Sequence, residues 1–203
     1  MARRVKRMID VCVAAAGLLV LSPLIGLVAL AIAIFMGRPV IFRHVRPGYR
    51  ARPFVLLKFR TMRPEFDESG QLLTDDERVT KLGYLLRRTS MDELPQLWNI
   101  LKGEMSLIGP RPLMMDYLPH YDANQARRHE VRPGLTGLAQ VNGRHVLRWE
   151  DRFALDVWYI DNWSLGLDFK IMWLTIPKLF GGAGLPPPST EDFGASEPES
   201  QRR

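Results

Sequence analysis

Cysteine occurs once in the 203 residues, at Cys12, so no internal disulfide can form and no thiolate metal site can be assembled. Nothing in the composition therefore calls for an oxidising compartment. The phosphate-cradling Gly-x-x-x-x-Gly-Lys-Ser/Thr loop of many nucleotide hydrolases is absent, and no internal repeat is visible. Acidic residues are outnumbered, 22 against 28 basic ones, for a net charge of +6. That balance admits nucleic acid, an anionic membrane surface or a phosphorylated substrate as partner. Charge of either sign is missing from Val11 to Met36. With 46% hydrophobic residues, the chain suits one domain with a core, plus extras.

The uncharged run exceeds the ~20 residues that a membrane helix needs. It is too long for the apolar part of a signal peptide, and no small-residue cleavage site follows it. Ser22-Pro23 lies near its middle, where proline removes a helical hydrogen bond and the serine hydroxyl can replace part of the loss. A kink is expected there. Arg3, Arg4, Lys6 and Arg7 precede the run, and Arg38, Arg43, Arg46, Arg50 and Arg52 follow it. Positive charge marks the cytoplasmic side of a membrane, and here both ends carry it. A re-entrant hairpin of two arms, each ~18 Å and too short to cross a ~30 Å core, satisfies both flanks. A single spanning helix is the rival.

Pro53 to Arg60 is expected to be a strand, with Val55, Leu57 and Phe59 on one face and Lys58 and Arg60 on the other. Paired cations on one face suit a phosphate, although a solvated basic edge is the commoner cause. Glu65 to Asp76 reads as an acidic surface loop, and Val79 to Arg88 as a short helix ending in Arg87 and Arg88. Met105 to Ile108 is a plausible strand closed by Gly109-Pro110-Arg111-Pro112, a rigid turn that fixes one guanidinium at low entropic cost. Arg132-Pro133-Gly134 repeats the device, and Gly137, Gln140, Asn142, Gly143 and Arg144 extend a Gly-rich polar loop. Trp149, Phe153, Val157 and Ile160 form one helical stripe, and Phe169, Met172, Trp173 and Ile176 a second after a break near Ser164 to Gly166. Such stripes face either a core or a membrane interface. From Gly181 onward Gly, Pro, Ser and Glu dominate, which favours disorder.

Asp92 and Glu93 stand at the mouth of an expected helix over 93–102, where Leu94, Leu97, Trp98 and Leu101 recur at helical spacing and Lys102-Gly103 marks the stop. If Ser90 and Glu93 formed a capping box, Pro95 would sit too deep in the helix. Asp92 at the cap leaves Pro95 harmlessly in the first turn. A carboxylate there is favoured as an anion, which suits a metal ligand or nucleophile better than a general acid.

These motifs, taken in order, resemble one family. "RMIDV" at the start, Ser22-Pro23, "LKFRTM" at 57–62, "DELPQLWNILKGEMSLIGPRP" at 92–112, "RPGLTGLAQVNGR" at 132–144 and "YIDNWSLGLDFKI" at 159–171 are together similar to the bacterial sugar transferases. They fit the small, single-domain kind within the monotopic phosphoglycosyl transferase superfamily, over residues 1 to about 182. The resemblance implies an α+β fold: a basic start and re-entrant membrane helix over 1–37, a small cytosolic domain of short helices and strands with amphipathic interfacial helices over 38–182, and a Pro-rich acidic tail over 183–203 that the family pattern does not explain. It implies transfer of a phospho-sugar from a UDP-sugar to a polyprenol phosphate such as undecaprenyl phosphate. The products are a polyprenyl diphosphate sugar and UMP, made at the cytoplasmic face of the inner membrane of a bacterium, in the first membrane step of glycoconjugate assembly. It maps Asp92 as nucleophile, with Glu93 beside it in a magnesium-dependent dyad. Lys58, Arg60, Arg87, Arg88, Arg111, Arg132, Gln140 and Arg144 become candidates for binding the phosphates and the rest of the substrate.

Two other chemistries fit poorly. A nucleotidase would want the missing phosphate loop, and a glycosidase needs carboxylates facing each other across a sugar at about 5–10 Å. A non-enzymatic alternative is a membrane-anchored basic protein binding nucleic acid or anionic lipid, with the two carboxylates as helix caps. The transferase reading instead needs membrane lipid and no nucleic acid. The identity of the sugar and the oligomeric state are encoded by no motif.

Overall fold

The computed structural model describes residues 1–180 apart from 65, 67–69, 72 and 144–146. Arg144 and the tail over 183–203 therefore lie outside the described residues. Helix α1 (Ala2–Val20) and helix α2 (Ser22–Phe35) meet at Leu21 with a bend of 62°. Pro23 falls in the first turn of α2, where its missing N–H costs nothing, and Ser22 Oγ donates to the Leu19 carbonyl at 2.8 Å. Serine and proline thus end one helix and begin the next. Among the described residues no single helix is long and apolar enough to cross a membrane. The 14 residues of α2 span only about 21 Å.

Strands β1 (Ile41–Pro47) and β2 (Pro53–Phe59) form an antiparallel hairpin, Ile41 facing Phe59 and Pro47 facing Pro53. The inward face of β2 differs from expectation. Phe54 and Leu56 are buried while Val55 is 42% exposed, because the near half of the strand packs on the main core and only its end, at Phe59, turns into a second cluster. Lys58 therefore follows Phe54 and Leu56 inward. A short helix α3 (Asp75–Arg78) begins at the end of the expected loop, and helix α4 (Lys81–Arg88) starts two residues later than expected, capped by Thr80, whose hydroxyl accepts from Gly83 N at 2.9 Å.

The central segment also departs from expectation. Met91–Glu93 is a separate 3-10 turn, and helix α5 (Gln96–Lys102) begins only after Pro95, which occupies its N-cap. Asp92 is neither a helix cap nor part of a capping box. Proline has no N–H to give and so tolerates the first turn of a helix but not its interior. Pro95 at the N-cap satisfies that rule, and the two carboxylates stand on a turn of their own. Gly103 ends α5 in the left-handed region at φ 85°, as expected.

Strand β3 (Ser106–Ile108) pairs in parallel with β4 (Gly134–Thr136). A Cβ on Gly134 would lie 2.1 Å from Gly109 N, so the two backbones meet at a separation only glycine permits. The loop read as Gly-rich and polar contains helix α6 (Leu138–Asn142). Helix α7 (Trp149–Asp161) buries the expected stripe, and helix α8 (Leu165–Phe180) restarts at Leu165, capped by Ser164 Oγ. The second stripe faces outward instead. Phe169, Trp173 and Ile176 are 56%, 75% and 47% exposed, whereas Ile171 and Asp168 point into the core.

Both arms of the bent pair are tied to the domain. At its start, Lys6 Nζ pairs with buried Asp168 at 2.7 Å, a carboxylate that also accepts from Tyr159 Oη and Trp163 Nε1. Asp10 accepts from Ser106 Oγ at 2.8 Å and Leu107 N at 3.0 Å. At its end, Val28, Ile32 and Met36 pack with Phe59 and Leu86. Leu19, Val20, Leu27, Leu30, Ile34 and Phe35 remain exposed.

Candidate active site

The 3-10 turn that carries the dyad is entered through Ser90, whose φ of 56° lies in the left-handed region, a conformation unusual for a residue with a Cβ. It turns Asp92 and Glu93 toward the inward-facing end of β2 and the turn after β3. Lys58 Nζ lies 2.9 Å from Glu93 Oε1 and 3.8 Å from Asp92 Oδ2. Arg111 Nη2 reaches the same Glu93 Oε1 at 2.7 Å. Glu93 is thus clamped by two cations from two separate elements. Burial by itself would raise its pKa, but Arg111 and Lys58 hold the group well below the usual carboxylate range. Asp92 behaves oppositely. Its pKa is raised by burial and by the neighbouring Glu93 charge, against the weaker pull of Lys58. Among the described residues no donor comes within hydrogen-bonding distance of its carboxylate.

The Pro-Arg-Pro turn is fixed from behind. Gly134 N donates to Pro110 O at 2.9 Å, and Arg128 Nη2 donates to Arg111 O at 2.8 Å. Arg128 is itself buried against Asp156 at 2.7 Å, an ion pair whose removal in half would leave an uncompensated charge. Arg87, at the end of α4, donates to Thr61 Oγ1 at 3.0 Å and lies within electrostatic range of Asp92.

The other candidates fall elsewhere. Arg60 bonds the carbonyls of Gly37 at 2.6 Å, Arg38 at 3.2 Å and Met36, and Arg63 joins it on Phe35 O at 2.6 Å. The carbonyls that end α2 carry partial negative charge and have no helical partner, and Arg60 bonds them. Arg132 Nε donates to Gly103 O at 2.8 Å for the same reason, beside Arg7, which bonds Ile100 O and Leu101 O. Arg88 is exposed and makes no hydrogen bond or ion pair among the described residues. Gln140 is buried under Gly137, and neither atom of its amide has a partner.

The charges in the cluster decide what it can hold. Lys58 and Arg111 offset Asp92 and Glu93, so a diphosphate brought to the dyad would add uncompensated negative charge. A magnesium ion fits this donor set, since it is commonly held by one or two carboxylates plus substrate phosphates. Asp92, with no hydrogen bond, offers both carboxylate oxygens, and Glu93 offers Oε2. Among the described residues no group of three His, Cys, Asp or Glu side chains could enclose an ion without a substrate.

The family profile of the bacterial sugar transferases matches residues 1–182. This chain belongs to that family. The uncharacterized sugar transferase EpsL of Bacillus subtilis is 53% identical over 180 residues, 89% of each chain. The UDP-glucose:undecaprenyl-phosphate glucose-1-phosphate transferase of Caulobacter vibrioides is 44% identical over 184 residues, covering 86% of this chain and 69% of the relative. The exopolysaccharide production protein ExoY of Rhizobium meliloti is 41% identical over 191 residues, covering 86% and 84%.

In this sugar transferase the supports of the site carry no local mark of burial. Asp10 and Asp168 fall within the "RMIDV" and "YIDNWSLGLDFKI" motifs and Asp156 outside any, and nothing beside them in the sequence shows that they are buried. Arg128 stands in a run of three basic side chains, Arg127 to His129, four positions before Arg132.

Proposed function

We propose that this sugar transferase moves a phospho-sugar from a UDP-sugar to a polyprenol phosphate, in practice undecaprenyl phosphate, and releases UMP. The observation that carries the reading is the unequal dyad, with Glu93 fixed by Lys58 and Arg111 and its neighbour Asp92 left without a hydrogen bond. The names of several relatives, which specify transfer between UDP-glucose and undecaprenyl phosphate, support the same class of reaction. The reaction proceeds in two displacements. An Asp92 carboxylate oxygen bonds to the β-phosphorus of the donor while the bridge to the α-phosphate breaks, and UMP leaves. An oxygen of the polyprenyl phosphate then bonds to that phosphorus and the Asp92 oxygen departs as carboxylate. Lys58 and Arg111 position Glu93 and face the charge that spreads over the phosphoryl oxygens. Bound magnesium would neutralise diphosphate charge between Asp92 and Glu93 and so let two anions meet.

Burial raises the Asp92 pKa in the free site, and a nearby cation opposes that shift. The two helices α1 and α2 form the re-entrant anchor at the cytoplasmic face of the bacterial inner membrane. The exposed stripe on α8 lies in the headgroup layer, where Trp and Phe are favoured. The test is incubation with UDP-sugar and Mg²⁺ in the absence of lipid acceptor. About one equivalent of UMP should appear, as a covalent intermediate requires, and the peptide containing Asp92 should gain one phospho-sugar. UMP release that needs polyprenol phosphate would remove Asp92 from the role of nucleophile.

A further inference from the structure

Arg111 has an ionic partner in Glu93, and among the described residues two neighbouring arginines have none. Arg46 on β1 and Arg152 on α7 both lie within electrostatic range of it, and burial followed by repulsion from Arg111 lowers the basicity of Arg46 to a pKa of about 10. Nε of Arg46, and Nε and Nη2 of Arg152, are buried with no acceptor. The Arg152 guanidinium lies 4.8 Å from the centre of the Trp149 ring, which packs against Tyr117 at 5.2 Å. Pro47, next to Arg46, borders the same small cavity as Pro110, Arg111 and Pro112. The nearby carboxylates do not neutralise the pair: Asp156 is engaged by Arg128, and Asp116 forms no ion pair with Arg46.

A guanidinium with buried, unbonded N–H groups beside a like charge destabilises the fold. Planar forks of this kind match phosphate oxygens two at a time. We propose that Arg46 and Arg152 form a second phosphate seat, sharing Arg111 with the dyad and taking the phosphate ester that is not under attack. The inference rests on the transferase reading and adds to it. In the first displacement the seat receives the α-phosphate that leaves with UMP. In the second it receives the phosphate of the prenyl acceptor. One seat used in turn makes UMP departure a condition for acceptor entry.

Full-length protein in lipid nanodiscs, titrated calorimetrically with UMP and separately with a short-chain prenyl phosphate, tests this. Arg46→Gln and Arg152→Gln should each weaken binding of both ligands about tenfold or more, the usual effect of losing charge-assisted hydrogen bonds. Their melting temperatures should hold or rise, since an unpaired buried cation is removed. Arg43→Gln, an equal charge change on the opposite face of β1, should bind as wild type does. Loss confined to one of the two ligands overturns the shared use of the seat. Wild-type affinity for both ligands, or weaker binding accompanied by a lower melting temperature, overturns the proposal. If wild-type protein released no UMP from any UDP-sugar, the transferase reading would fail, while the binding arms would still report on the seat.

Discussion

Lys58 Nζ stands 2.9 Å from Glu93 Oε1 and 3.8 Å from Asp92 Oδ2, so one lysine bonds Glu93 and only faces the carboxylate proposed as nucleophile. The distinction separates two kinds of damage. Lys58→Met should leave Glu93 with Arg111 alone, lowering kcat by about 10²-fold in line with loss of one preorganised charge, while labelling of Asp92 stays detectable. Asp92→Asn should abolish labelling and turnover together. Equal residual labelling in both variants would contradict the division of roles.

Turnover should depend on magnesium. With the four charges of the cluster balanced, a diphosphate has nothing to offset its own charge at the dyad, and Coulomb repulsion between anions at ~4 Å is worth about 4 kcal/mol near a protein surface. Excess chelator should therefore stop UMP release, and added Mg²⁺ should restore it. Undiminished release in chelator would exclude the metal from the reaction.

Arg60 is predicted to matter for anchoring, not for substrate. Arg60→Gln leaves the carbonyls that end α2 short of donors, each such loss costing about 1–3 kcal/mol where water is excluded. The variant should melt lower and show faster proteolysis near Gly37, with KM for the UDP-sugar unchanged. A raised KM at an unchanged melting temperature would return Arg60 to the substrate site.

Topology has its own test. Single cysteines near residues 3 and 45, in a chain with Cys12 replaced, should both be protected from a membrane-impermeant reagent in intact cells. Pro23→Ala should restore helical continuity and shift part of the population to a spanning form. Accessibility of either site from outside would rule out the hairpin.

His129 predicts a stability change with pH. Burial, then repulsion from Arg128, depresses its pKa from 6.5 to about 4. Below 6.5 the unfolded chain binds a proton that the folded chain refuses, so stability is present above pH 6.5 and is lost as pH falls toward 4. The loss should be of order 1–2 kcal/mol after screening of a partly exposed ring, and His129→Gln should flatten that part of a melting-temperature profile.

The dyad, the Pro-Arg-Pro turn, the helix break at Ser22-Pro23 and the buried stripe of α7 were all legible in the sequence, because each is a local arrangement of a few residues. The direction taken by Arg60 and Arg132 was not. Both resemble phosphate ligands in sequence, and both are captured by helix-ending carbonyls whose position depends on the fold. The contacts that align α1 were hidden for a related reason: Arg7 meets Ile100 across 93 positions and Lys6 meets Asp168 across 162. The start of α5 beyond Pro95 was not legible either, since proline is tolerated equally well within a first turn, where Asp92 at the cap would have placed it.

Arg7, Lys6 and Asp10 fasten the first arm of the bent pair, and Arg60 and Arg63 fasten the second. A loop of chain pinned at both feet cannot slide like a piston. In the proposed anchor, whatever depth the bend at Leu21 reaches, the dyad stands at a set height above it, as a bracket bolted at two points holds a shelf. Lengthening α2 by one turn would therefore be expected to alter reaction with the lipid substrate while sparing reaction with the soluble one.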